Sequence, residues 1–186
     1  MDEGIKNFNK KRYARAAEDF QKVKDRFPYS PLAILAELKL ADSHYFNKEY
    51  LEAGAAYQEF EKMHPQNEVV PYVIYMLGMS YFNLRPTFDR DITNTEKAAQ
   101  EFKRLIETHP KDENIPNALK NLDICRKEMA QHELYIAEFY FKQKRYSAAL
   151  TRLEDMVQTF PAFAEDKKYQ TLLKTTREML QKEKKP

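Results

Sequence analysis

Four prolines, each preceded by an aromatic residue or a histidine, constrain this chain more than anything else in it: Phe27-Pro28, His64-Pro65, His109-Pro110 and Phe160-Pro161. Counting back from each proline gives the same residue types. Fifteen positions upstream stand Tyr13, Tyr50, Thr95 and Tyr146, with Thr95 the exception. Twelve upstream stand Ala16, Ala53, Ala98 and Ala149. Eight upstream are Phe20, Tyr57, Phe102 and Leu153, and five upstream Val23, Phe60, Leu105 and Met156. Steps of three and four residues place these side chains on one stripe of an α-helix. The alanine lets a neighbouring helix come close, and the aromatic fills the space beyond it. Proline ends each helix because it lacks an N–H and disfavours helical geometry in the residue before it. Self-similarity at such periods is the mark of a repeat architecture.

Partner helices precede these stripes. Residues 32–47 and 71–84 each carry a leucine and a small residue, Leu40-Ala41 and Leu77-Gly78, with Tyr45 and Phe82 four residues after the small one. The order small residue, aromatic, Tyr, Ala, aromatic, Pro resembles the tetratricopeptide consensus. The expectation is an all-α fold, a tetratricopeptide-repeat superhelix of four to five helical hairpins. It is expected to form a single domain over 1–186, with repeats at about 1–28, 31–65, 71–110 and 116–161 and a C-terminal helix at 165–182. The prolines are 37, 45 and 51 residues apart, so the third and fourth repeats carry insertions. One is the loop Arg85–Asn94. The other lengthens the first helix of the fourth repeat, because no proline or glycine follows Pro116 before residue 144.

Composition agrees with helices and excludes several functions. Three glycines in 186 residues are too few for the turns of a β-sandwich or for phosphate-cradling loops. A net charge of +2 does not suggest a nucleic-acid surface. Residues 1–28 hold eight Lys/Arg against five Asp/Glu, residues 165–186 seven against four, and the middle sixteen against twenty. These charges read as solvated helix faces. The apolar run Val69–Met79 is about half the roughly 20 residues needed to cross a bilayer, and the opening Met1-Asp2-Glu3-Gly4-Ile5-Lys6 is no signal peptide. His64 and His109 precede helix-ending prolines, where an imidazolium complements a helix C-terminus. His44, His64, His109 and His132 are not spaced for a metal, so none is expected. Asp89-Arg90-Asp91 reads as an ion-paired or turn-forming cluster, and the single Cys125 as a packed core residue. There is no G-x-S-x-G, Walker loop or dinucleotide fingerprint, so neither an enzyme nor a cofactor is expected.

Binding surface remains. By the tetratricopeptide resemblance, first helices line a groove that receives Leu38, Asp42, Tyr45 and Phe46 from the second repeat. Tyr72, Tyr75, Met79 and Phe82 come from the third. Twelve Tyr and twelve Phe without a Trp suit peptide anchoring by large rings of low side-chain entropy.

Several strings resemble the BamD (YfiO/ComL) family of outer-membrane lipoproteins. Tyr72-Val73-Ile74-Tyr75-Met76-Leu77-Gly78 resembles its YVxYxxG segment, and Asp89-Arg90-Asp91 falls at its acidic, arginine-containing insertion. Ala130, Glu133, Ala137, Phe139 and Tyr140 resemble its long-helix pattern, and Ala148-Ala149-Leu150-Thr151-Arg152 its following A-A-x-x-R. The resemblance covers essentially the whole chain. It implies a non-enzymatic periplasmic scaffold of the β-barrel assembly machinery. The implied partners are the BamA POTRA domain, other lipoproteins of the machinery and the C-terminal segments of unfolded outer-membrane proteins. Arg152, with Glu138, would contact BamA, and the membrane would be reached only through an N-terminal lipid on the inner leaflet of the outer membrane. The lipid-attachment cysteine is absent, since Leu122-Asp123-Ile124-Cys125 lacks the small residues and apolar leader of a lipobox. The expectation is a chain trimmed to its soluble part, its last family helix cut short. The alternative is another periplasmic tetratricopeptide module, of the cell-division coordinator type.

Overall fold

The computed structural model describes residues 1–183 and is helical along nearly all of them, with no strand among the described residues. The helices pair in chain order. α1 (Asp2–Asn9) is followed by α2 (Tyr13–Arg26), α3 (Pro31–Phe46) by α4 (Tyr50–Met63), α5 (Val70–Leu84) by α6 (Thr93–Thr108), and α7 (Ile115–Lys142) by α8 (Tyr146–Thr159). A short 3₁₀ turn at Pro161–Phe163 leads to α9 (Lys167–Glu183). These are tetratricopeptide-type hairpins. Two compact units result: Met1–Arg85 with Thr93–Leu122, and Pro86–Ile92 with Asp123–Pro186. Helix α7 gives its first turns to the first unit and the rest to the second.

The proline-anchored stripe is the core. Ala16, Ala53, Ala98 and Ala149 are fully buried, as are Phe20, Tyr57, Phe102 and Leu153. In the first unit, Ala41, Ala53, Tyr57, Phe60, Val73 and Leu77 form one cluster, and Ala16, Phe20, Ala36 and Leu40 another. In the second unit, Leu134 and Ala137 of α7 pack with Leu153 and Met156 of α8 and Tyr169 of α9. Each fully buried ring or branched side chain contributes roughly 1.5–3 kcal/mol. The small residues of the first helices are needed for this packing. A Cβ added at Gly78 would lie 2.8 Å from Phe102 Cε1, and one at Gly4 would lie 2.7 Å from Phe20 Cε1. At Gly54 the nearest atoms would be 3.8 Å away.

Helix ends follow local chemistry. Ser30 caps α3, its Oγ accepting from Leu32 N at 3.2 Å, with Pro31 at the first helical position. Asp166 caps α9 by accepting from the backbone N–H groups of Lys168 and Tyr169, both at 2.9 Å. The helix therefore starts at Lys167, later than 165. Three hairpins turn through a lysine with positive φ: Lys11 (57°), Lys48 (65°) and Lys144 (59°). Each lies seventeen residues before its repeat proline. Around Lys48, Glu49 N donates to His44 O and Lys48 N to Tyr45 O, both at 2.9 Å. These are the paired bonds of a Schellman turn, with lysine where glycine is usual. In the third hairpin the segment between Leu84 and Thr93 takes the place of this corner.

Candidate functional site

In the first unit, α3 and α5 are joined through a buried carboxylate. Asp42 is 2% exposed. Its Oδ1 accepts from the Tyr57 hydroxyl at 2.8 Å and the Tyr72 hydroxyl at 2.9 Å. Its Oδ2 is 2.8 Å from Lys39 Nζ. Three donors satisfy the charge, as a buried carboxylate requires. Burial, and then the Asp42 charge, pushes both tyrosine hydroxyls well above their usual range. A second bond joins the same helices: Asn83 Nδ2 donates to Tyr45 Oη at 3.1 Å.

The other residues expected in the groove lie around this hub, all in the first unit. Leu38, Tyr45, Tyr72 and Tyr75 are half-buried against the core cluster. Phe46, 44% exposed, stacks on Tyr13 with ring centroids 5.5 Å apart and meets Phe8 edge-on at 5.7 Å. Tyr75 and Phe82 both approach Phe102, at 6.1 and 5.9 Å. The Arg85 guanidinium lies 3.5 Å from the Phe82 ring centroid, a cation–π contact. Met79 Sδ accepts from Asn121 Nδ2 at 3.1 Å. Among the eight, Asp42 lies inside and Phe46 is the most open. Tyr57 belongs to the proline-anchored stripe, but neither its bond to Asp42 nor that of Lys39 follows from that spacing. Lys39, three residues before Asp42 on the same helix, was the one visible hint. Tyr13 also belongs to the proline-anchored set, but its contact with Phe46, like those of Phe8 with Phe46 and Asn83 with Tyr45, arises only where different hairpins pack.

Arg152 and Glu138 lie in the second unit. Arg152, its side chain 44% exposed, has Nη1 3.2 Å from Glu133 Oε2. Glu138 Oε1 is 2.7 Å from Lys168 Nζ. Arg152 joins α8 to α7, and Glu138 joins α7 to α9. Both pairs are open to water and worth little to the fold.

The histidines serve the framework. His64 Nε2 is 2.7 Å from Glu37 Oε2 and His44 Nδ1 2.7 Å from Glu49 Oε2. His109 shares a hydrogen bond with Thr108, and His132 with the Phe88 carbonyl. The His44 bond holds the Glu49 carboxyl below its usual range. Among the described residues no group of three or more His, Cys, Asp or Glu is placed to hold a metal, and no helix is long and apolar enough to cross a membrane. Cys125 is buried.

The sequence profile of the family described as YfiO, outer membrane lipoprotein, matches residues 1–185. The chain belongs to this family. Among YfiO-family relatives, the outer membrane protein assembly factor BamD of Rickettsia prowazekii is 29% identical over 159 residues, covering 86% of this chain and 63% of that relative. The factor of the same name from Neisseria meningitidis serogroup A is 26% identical, covering 82% and 61%. That of Caulobacter vibrioides is 24% identical, covering 83% and 51%. The chain therefore spans about half to six-tenths of the length of these relatives. Among solved structures it is similar to the TPR2AB-domain:pHSP90-complex of yeast Sti1. That likeness has a TM-score of 0.53 at 16% identity and covers 96% of this chain and 69% of that one. It identifies the fold as tetratricopeptide-like.

Proposed function

We propose that this chain is a non-enzymatic scaffold of the outer-membrane β-barrel assembly machinery, located in the periplasm at the outer membrane. The α3–α5 surface receives the C-terminal segments of unfolded outer-membrane proteins, and Arg152 with Glu138 contacts the POTRA domain of BamA. Other lipoproteins of the machinery are further partners, and a lipid on the full-length N-terminus is the membrane anchor. The observation that carries this reading is membership of an outer membrane lipoprotein family whose relatives bear the name outer membrane protein assembly factor. The aromatic surface around Phe46, Tyr45 and Tyr75 supports it, since such rings anchor extended peptides at small entropic cost.

Two titrations test it: purified BamA POTRA domains, and peptides copying the aromatic ends of outer-membrane proteins. Saturable binding of both is expected. Arg152→Glu should weaken the POTRA complex by about 2–5 kcal/mol if the guanidinium meets a buried carboxylate there. Unchanged affinity in calorimetry removes Arg152 from the contact, and failure of both ligands to bind refutes the function.

A further inference from the structure

A second concavity lies in the first unit, away from the Asp42 hub. Two hollows, one between α2 and α4 and the other between α2 and Glu49 at the start of α4, share Gln21, Leu40 and His44, so they run together as one groove with α3 as its floor. Comparison of the repeats explains why it is open. At the same 37-residue spacing, Leu40 corresponds to Leu77, Glu37 to Ile74 and His44 to Tyr81. In the third repeat these positions hold the buried Ile74 and Tyr81, whose hydroxyl accepts from Gln58 of α4 and whose ring faces Lys97 of α6. In the second repeat, Glu37 turns to His64 and His44 to Glu49, and the space between them stays hollow. Ala17 and Ala56 wall it with small side chains.

The rim is acidic. Glu18 and Glu52 line the hollows, are exposed, and have no ion-pair partner among the described residues. Glu59 pairs with Lys24 at 3.0 Å, and Lys24 is the one Lys or Arg lining either hollow among the described residues. Three basic residues, Lys11, Arg12 and Arg15, line the adjoining hollow at the far end, beyond Ala14. An apolar floor under unneutralised carboxylates repels anionic lipid and nucleic acid and attracts a chain that is apolar on one side and cationic on the other. We propose that the α2–α4 groove binds a cationic amphipathic segment of a partner protein. Aliphatic side chains rest on Leu40 between Ala17 and Ala56, and Lys or Arg side chains face Glu18 and Glu52. This site is separate from the α3–α5 surface and does not depend on its function.

The probe is a fluorescein-labelled helical peptide with leucines on one face and lysines on the other, titrated against the whole chain by anisotropy. Saturable binding is expected. Glu18→Lys with Glu52→Lys should weaken it at least about tenfold by reversing two contacts of the rim. The graft of third-repeat residues, Glu37→Ile with His44→Tyr, should do the same by filling the hollow, with Ala56→Leu as an independent plug should the graft fail to fold. Phe46→Ala should leave binding unchanged. The proposal is overturned if the probe does not saturate, or if a leucine–glutamate peptide binds as tightly. It is also overturned if a folded plug variant binds like the parent, since unspecific surface attraction would then explain the charge effect.

Discussion

Removing the Asp42 carboxylate tests the internal logic of the first unit most directly. In Asp42→Ala the Tyr57 hydroxyl, on a fully buried side chain, loses its acceptor, at a cost of about 1–3 kcal/mol for an unsatisfied buried donor. Tyr72 is half-buried and partly re-solvated, adding about 1 kcal/mol. Lys39 keeps a third of its side chain in water, so the loss of its pair is worth no more than about 0.5 kcal/mol. The total is a destabilisation of about 2–4.5 kcal/mol. Asp42→Asn retains one acceptor oxygen for the tyrosines but replaces charge-assisted bonds with neutral ones and turns an amide towards Lys39, for about 1–2 kcal/mol. Urea unfolding followed by circular dichroism measures both differences. Combining Asp42→Ala with Tyr57→Phe should recover about 1–2 kcal/mol, because the orphaned hydroxyl is then gone. The reasoning is refuted if Asp42→Ala costs less than Asp42→Asn, or if the double variant is simply additive.

Three further outcomes follow from the packing and the turns. Gly54→Ala should stabilise the protein by about 0.5–1 kcal/mol through helix propensity, whereas Gly78→Ala, driven into Phe102, should destabilise it by about 1–3 kcal/mol; thermal melts of the pair read the difference in sign. Lys48→Gly should raise stability by up to about 1 kcal/mol by relieving a side chain at positive φ, and an unchanged or lower urea midpoint would count against strain at that corner. Tyr57 and Tyr72 keep their protons in the folded state at a pH where unfolded tyrosines, with pKa about 10, release them. Their contribution is complete below pH 10 and is lost as pH rises above it, at up to about 1.4 kcal/mol per pH unit for each ring. Urea midpoints from pH 9 to 11 should fall accordingly, and less steeply in Tyr57→Phe.

The sequence made legible what repeats impose and left dark what single contacts decide. The second helices α2, α4, α6 and α8 could be placed because proline ends them and the Ala–aromatic stripe recurs, and both are local constraints. The αL lysines could not, since nothing in a lysine announces positive φ; glycine or asparagine would have. Thr95, the one break in the stripe, is fully buried with no hydrogen-bond partner for its hydroxyl, and no rule of spacing explains it. The α3 and α5 surface residues followed from periodicity, but not which of them stay open. Asp42 was expected among residues facing a visitor. Its enclosure by Tyr57, Tyr72 and Lys39 depends on three helices meeting, which a one-dimensional pattern does not encode. The hollow beside His44 also escaped notice, although the substitutions that open it were visible when the second repeat is laid on the third.

A phenol tethered by its own oxygen cannot swing out to greet an arriving chain. Tyr72 and Tyr45 are both tied in this way, and Phe46 rests on Tyr13 and Phe8. What they present is closer to a cast than to a glove. If the α3–α5 surface receives the proposed segments, little motional freedom is left to surrender on contact, and discrimination among them rests on the contour they bring.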